Sequence, residues 1–133
     1  MMHLMSKYVL IVDDHPDLRK LVRLTLAPFY EVAEARNGEE ALAASRQRAP
    51  DVMLLDVMMP GRFDGYQVLE SVRNDPALKD VKVVMLTARG QQVDIDRGRL
   101  GGVDDYIVKP FSPARLINVI EHVTEARQSA NPL

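Results

Sequence analysis

Val52-Met53-Leu54-Leu55-Asp56 sets four apolar residues in a row and closes them with a carboxylate. A strand with one wet face alternates apolar and polar side chains. An unbroken apolar run instead belongs to a strand covered on both faces, as in a parallel sheet flanked by helices. Outward from this run, Tyr8-Val9-Leu10-Ile11-Val12, Tyr30-Glu31-Val32-Ala33-Glu34-Ala35, Val81-Lys82-Val83-Val84-Met85-Leu86 and Tyr106-Ile107-Val108 give four more candidate strands. Three of the five are almost continuously apolar, so a parallel sheet is expected.

The intervening segments carry helical periodicity. Leu18, Leu21, Val22 and Thr25 fall at i, i+3, i+4 and i+7 behind Pro16, a residue suited to a first turn, and predict one helix face. Asn37-Gly38 precedes a second helix with Ala41, Leu42 and Ser45 on one side. Asp64 caps a third, with Val68, Leu69 and Val72 inward and Asn74-Asp75-Pro76 ending it. A fourth, over about 91–100, has only Val93, Ile95 and Leu100 as apolar anchors and is weakly held. Ser112-Pro113 opens a fifth along the stripe Leu116, Ile117, Ile120 and Val123. Alternating strands and helices joined by right-handed crossovers predict an α/β fold. Its form is a flavodoxin-like, doubly wound, five-stranded parallel sheet of (βα)5 type in a three-layer sandwich.

Composition limits what such a chain does. Its 133 residues suffice for one domain, expected over 7–127, with 1–6 and 128–133 as flexible ends. At 47% hydrophobic and 27% charged residues it is neither disordered nor fibrous. A net charge of -2 without a run of Lys or Arg argues against direct nucleic-acid contact. No apolar run reaches the length of a membrane span, so no membrane association and a cytoplasmic location are expected. The absence of cysteine excludes disulfides, thiolate metal sites and cysteine nucleophiles. His3, His15 and His122 share no metal-ligand spacing and receive no role.

In a doubly wound sheet, ligands bind beyond the carboxyl ends of the strands. The predicted strands deliver Asp13-Asp14, Asp56, Thr87 and Lys109-Pro110 to that rim. Three carboxylates in one crevice repel each other, and a hard dication with oxygen ligands removes the conflict. Mg2+ suits a site with few protein ligands, because it keeps several waters and takes one or two carboxylates plus phosphate oxygens. A carboxylate can attack a phosphoryl group to give an acyl phosphate, with the Lys109 ammonium and the Thr87 hydroxyl holding the charge on the transferring oxygens. Each residue alone has a plainer reading: Asp13-Asp14 as a helix cap, Thr87 as a turn residue, Lys109 as a solvated charge. Their joint position at strand ends outweighs those readings.

Four motifs carry a family resemblance: Val12-Asp13-Asp14, Leu54-Leu55-Asp56-Val57-Met58-Met59-Pro60-Gly61, Leu86-Thr87-Ala88 and Asp104-Asp105-Tyr106-Ile107-Val108-Lys109-Pro110-Phe111. In this order and spacing the chain resembles the response regulator receiver family over about 8–125. The resemblance implies a phosphorylation-dependent switch of two-component or phosphorelay signalling, with Asp56 as phosphoacceptor. The donor is a phosphohistidine on a sensor histidine kinase or phosphotransfer protein. Mg2+, or Mn2+ in its place, is held by Asp13, Asp14, Asp56 and the backbone carbonyl of Met58. Thr87 and Lys109 contact the phosphoryl group, and a cis Lys109-Pro110 bond aims the lysine. Thr87 and Tyr106 act as the switch pair. They change the surface of the fourth helix, fifth strand and fifth helix, which a downstream protein or output domain reads. Such a chain is no conventional enzyme, but it catalyses its own phosphorylation and slow dephosphorylation.

Departures from the family pattern shape further expectations. Arg62-Phe63 separates Pro60-Gly61 from Asp64-Gly65, one residue more than usual, which bears on kinase docking. Val119 and Glu121 stand where many transcription-factor receivers carry arginines that pair with acids such as Asp104-Asp105, so a monomer or weak dimer is expected. Three other readings stand beside this one. The chain is a receiver fragment of a longer regulator with a DNA-binding or enzymatic output domain. It is a phosphohydrolase with an aspartyl nucleophile, which needs an acid where Met58 stands. Or it is a partner-binding pseudo-receiver, which is expected to lack an acid, the threonine or the lysine.

Overall fold

A computed structural model describes residues 7–59, 61, 64–88 and 102–129. Backbone groups of five segments pair into one parallel sheet: β1 (Tyr8–Val12), β2 (Glu31–Ala35), β3 (Val52–Asp56), β4 (Lys82–Ala88) and β5 (Asp105–Lys109), in the order β2-β1-β3-β4-β5. Every neighbouring pair is parallel, with Val12 opposite Leu55, Asp56 opposite Leu86, and Ala88 opposite Lys109. The carboxyl ends therefore share one rim. β1 lies between β2 and β3, so the strand order reverses there, the place where open α/β sheets form a crevice.

β1 and β3 are buried along their whole length, as their unbroken apolar runs require, whereas β2 and β5 at the edges mix buried and wetter positions. Strand side chains alternate between faces, and this splits the core in two. Leu10, Met53, Leu55 and Met85 pack with Ala41, Leu42, Val68, Leu69 and Val72. Ile11, Leu54, Val84 and Leu86 pack on the other face with Val22, Leu26, Leu116 and Ile120. Helices α2 (Gly38–Gln47) and α3 (Gly65–Asn74) thus cover one face, and α1 (Pro16–Leu26) and α4 (Pro113–Ser129) the other. The three-layer flavodoxin-like sandwich is as expected. The helix expected over 91–100 lies outside the described residues, as do Pro60 and Arg62-Phe63.

The helix starts follow their cap chemistry. Asn37 accepts from the Glu40 amide at 2.9 Å, and Ser112 from that of Arg115 at 3.1 Å. Asp64 and Gln67 satisfy each other's amides in a capping box at 2.9 and 2.8 Å. α1 begins at Pro16 behind His15, which makes no side-chain cap. Asp13-Asp14 therefore does not end up as the cap of that helix.

One face assignment needs correction, and one position bears on the dimer expectation. Leu21 is 45% exposed, because the buried seam of α1 runs at four-residue spacing through Leu18, Val22 and Leu26 and leaves Leu21 on its flank. Val119 is buried in the core one turn from Leu116 and Val123. It therefore cannot sit on a dimer surface.

Gly65 joins the fold to the rim. Its amide donates to Val57 O at 3.0 Å, and a Cβ there would lie 2.5 Å from Asp56 O and 2.8 Å from Val57 Cα. Only a residue without a side chain lets the first turn of α3 lean on the end of β3. Gly65→Ala is expected to lower stability by about 1–3 kcal/mol, the usual cost of forcing an extra carbon into a packed contact. Urea unfolding checks this as a lower midpoint with an unchanged slope.

Candidate functional site

Four strand ends build the site. Asp13 follows β1 directly, Asp56 closes β3, Thr87 stands near the end of β4, and Lys109 closes β5. Lys109 Nζ lies 3.1 Å from Asp13 Oδ2 and 3.3 Å from Asp56 Oδ1. Asp56 Oδ1 also accepts the Met58 amide at 3.2 Å. Asp13 Oδ1 accepts the His15 amide at 2.8 Å and lies 2.9 Å from His15 Nδ1, which is 3.3 Å from Asp14 Oδ1. Lys109 thus engages one oxygen of each of two acids, and the far side of the crevice is left acidic.

That side is under-satisfied. Asp13, Asp56 and Thr87 are 0%, 3% and 1% exposed. Asp56 Oδ2, Asp14 Oδ1 and Thr87 Oγ1 are buried atoms with no hydrogen-bond partner. Buried polar atoms are nearly always partnered, and a cluster of exceptions marks a place built for a ligand. Burial first, then the charge of Asp13, push the Asp56 carboxyl above the usual carboxylate range; Lys109 and the Met58 amide pull the other way. The hydrogen bond to Asp13, followed by the charge of Asp14, raises the His15 imidazole above its ordinary value. Ligand atoms of Asp13, Asp14, His15 and Asp56 lie within 4.8 Å of one another, close enough to surround one cation.

The structure brings together the predicted Asp13, Asp14, Asp56 and Lys109, and seats Thr87 in the strand between the last two. The Lys109-Pro110 bond is cis. The Met58 side chain is exposed, while its backbone follows Asp56 at the rim. Tyr106 is half-buried against the core shared with α2 and α3. Asp104 is held within the chain, accepting from Arg73 Nη2 at 2.9 Å and the Val83 amide at 2.7 Å.

Two neighbours went unassigned in the sequence. His15 belongs to the cluster, and its companions are carboxylates rather than other histidines. Arg19 donates from Nη1 to Asp13 O at 2.7 Å and from Nε to Glu34 Oε1 at 3.0 Å, tying the acidic loop to α1 and β2. The signal was positional, since a helical side chain points back toward its own N-terminus.

Residues 9–121 match the family described as response regulator receiver domain. Among curated relatives, a probable transcriptional regulator ycf27 of Guillardia theta is 44% identical over 128 residues, covering 92% of this chain and 49% of that protein. The transcriptional regulatory protein ResD of Bacillus subtilis is 42% identical over 110 residues, covering 82% and 44%. The chain spans about half the length of the curated relatives it matches. Among solved structures, the chemotaxis protein CheY4 of Vibrio cholerae superposes with a TM-score of 0.83 at 34% identity, covering 89% of this chain and 98% of that one. NtrX of Brucella abortus gives 0.88 at 33% identity, covering 95% and 28%. No helix among the described residues is long and apolar enough to cross a membrane.

The raised Asp56 pKa has a consequence for stability. Between the ordinary carboxylate pKa and the raised value, the folded state binds more protons than the unfolded one. Stability therefore falls as pH rises through that window and stays lower above it. With chelator present, Asp56→Asn is expected to unfold at a higher urea midpoint than the parent at pH 7. The gap should narrow on acidification toward about pH 4. Urea titrations at a series of pH values test this, and equal midpoints at neutral pH contradict it.

Proposed function

The chain belongs to the response regulator receiver domain family, and from that premise we propose that it is a phosphorylation-dependent switch whose phosphoacceptor is Asp56. One observation carries the reading: Asp56 is buried with one oxygen held by Lys109 and the Met58 amide and the other without a partner, beside Asp13 and Asp14. The unpaired atom is the nucleophile.

An oxygen-rich crevice with an excess of carboxylate over ammonium fits a hard divalent ion. Asp13, Asp14, Asp56 and the Met58 backbone carbonyl would hold Mg2+, or Mn2+ in its place. Bound there, the ion would neutralise charge on a phosphoryl group. The chain's own residues do the rest. Asp56 Oδ2 attacks phosphorus, the P–N bond to the donor imidazole breaks, and that imidazole keeps the electron pair and takes a proton. The Lys109 ammonium offsets charge on the transferred oxygens, and the Thr87 hydroxyl gains the hydrogen-bond acceptor it lacks. Drawing Thr87 toward the phosphoryl group makes room for Tyr106 to turn inward. This biases the surface of β5 and α4 only as far as the phosphorylated state favours one arrangement.

The partners that follow are a sensor histidine kinase or phosphotransfer protein upstream and a protein or output domain downstream. Because its relatives are transcriptional regulators about twice as long, a receiver over 7–127 within a longer regulator is the second reading. With Val119 in the core and Asp104 paired within the chain, the arginine-to-acid dimer lacks its usual groups, which supports a monomer or weak dimer.

Incubation with Mg2+ and a small acyl phosphate, followed by intact mass, is expected to add one phosphoryl group to the parent and none to Asp56→Asn. Removing the metal with EDTA is expected to slow the gain by about 100-fold or more, the scale of losing a principal charge stabiliser. Full-level phosphorylation of Asp56→Asn overturns the assignment.

A further inference from the structure

The cation side of the crevice is not made of oxygen alone. Lys109 takes Asp13 Oδ2 and Asp56 Oδ1, which leaves Asp13 Oδ1, accepting from the His15 amide, and the unpartnered Asp14 Oδ1 and Asp56 Oδ2. Into this remainder His15, the residue just before α1, sets an imidazole nitrogen, 2.9 Å from Asp13 Oδ1 and 3.3 Å from Asp14 Oδ1. We propose that His15 turns this crevice into a mixed nitrogen and oxygen site that takes Zn2+ through its imidazole, in competition with Mg2+.

The distances favour this. With metal–ligand bonds of about 2.1 Å, neighbouring ligands lie about 3.0 Å apart in an octahedron and about 3.4 Å apart in a tetrahedron. The two His15 spacings fall within or just below that range, so a cation replaces the proton between imidazole and carboxylate with little movement. The whole set lies within 4.8 Å, against about 4.2 Å for opposite corners of an octahedron, a contraction that side-chain rotation supplies. Asp56 Oδ2 adds an independent pointer, being a nearly fully buried carboxylate oxygen with no partner.

Ligand chemistry then sets the selectivity. Imidazole suits Zn2+, whereas Mg2+ prefers oxygen and keeps its waters, so His15 strengthens the first and leaves the second almost unaffected. His15 is exposed, so the nitrogen is accessible to an ion arriving from solvent. A crevice of this kind reports which ion is present as well as whether a phosphoryl group has arrived.

The inference rests on reading the crevice as a cation site, and the experiment separates the two. Calorimetric titrations of the whole chain with Zn2+ and with Mg2+ are run on the parent, His15→Gln and Asp56→Asn. The expected result is Zn2+ affinity about tenfold or more weaker in His15→Gln, with Mg2+ affinity within about twofold of the parent. Zn2+ should also weaken in Asp56→Asn and be displaced by excess Mg2+. Co2+ provides a spectroscopic check, its visible absorption changing between parent and His15→Gln. Equal Zn2+ affinity in parent and His15→Gln, alongside normal Mg2+ binding, overturns this inference alone. Zn2+ binding that Mg2+ does not displace also overturns it, by placing the ion elsewhere. A parent that binds neither ion overturns the cation reading beneath it.

Discussion

Two buried carboxylates, Asp13 and Asp56, share a single ammonium, and the remainder of the molecule is arranged around that imbalance. Burying an ionised carboxylate is costly unless it is paired and hydrogen-bonded. Lys109 pairs one oxygen of each, the Met58 and His15 amides supply hydrogen bonds, and Arg19 fixes the backbone of Asp13 from behind. The second oxygen of Asp56 is left over. Being buried and without a hydrogen-bond partner, it is the group that gains most from a cation in the crevice.

Such a site needs a rigid platform, and the parallel sheet provides one. Side chains at the ends of β1, β3 and β5, the last separated from β3 by β4, meet within hydrogen-bond distance only if the strand ends stay in register. The two apolar cores lock that register, since a slip of one residue would send each core face of a strand to the wrong side. Gly65 adds local tightness by letting α3 start against the backbone of Asp56. Thr87 lies on β4, directly alongside the strand that carries Tyr106.

Much of this was legible in the residues. The unbroken run of Val52–Asp56 announced a strand covered on both faces, and the acids, hydroxyl and lysine stood where strand ends were expected. Edge positions were harder to read. Leu21 sits within a helical stripe by spacing yet flanks the buried seam, because a stripe about a third of the helix wide has two possible margins and only packing chooses between them. Val119 stands where many relatives carry an arginine, and here it is buried in the core. His15 adjoins the acidic pair in sequence but carries no His-type ligand spacing, because its companions are carboxylates, and its contact with Asp13 two residues earlier depends on the turn between them. The short 3₁₀ turn Pro76–Leu78, which seats Leu78 in the core, was likewise hidden behind a proline that reads as a simple stop.

Convergence of the acids on one cation is most directly tested by soaking crystals of the chain with Mn2+ and collecting data that reveal its anomalous scattering. A peak about 2.2 Å from carboxylate oxygens of Asp14 and Asp56, with the Lys109 ammonium on the opposite side of Asp56, is the outcome predicted by the charge arrangement. A peak elsewhere on the surface, with Asp56 remaining clear of metal at full occupancy of that other position, would contradict it.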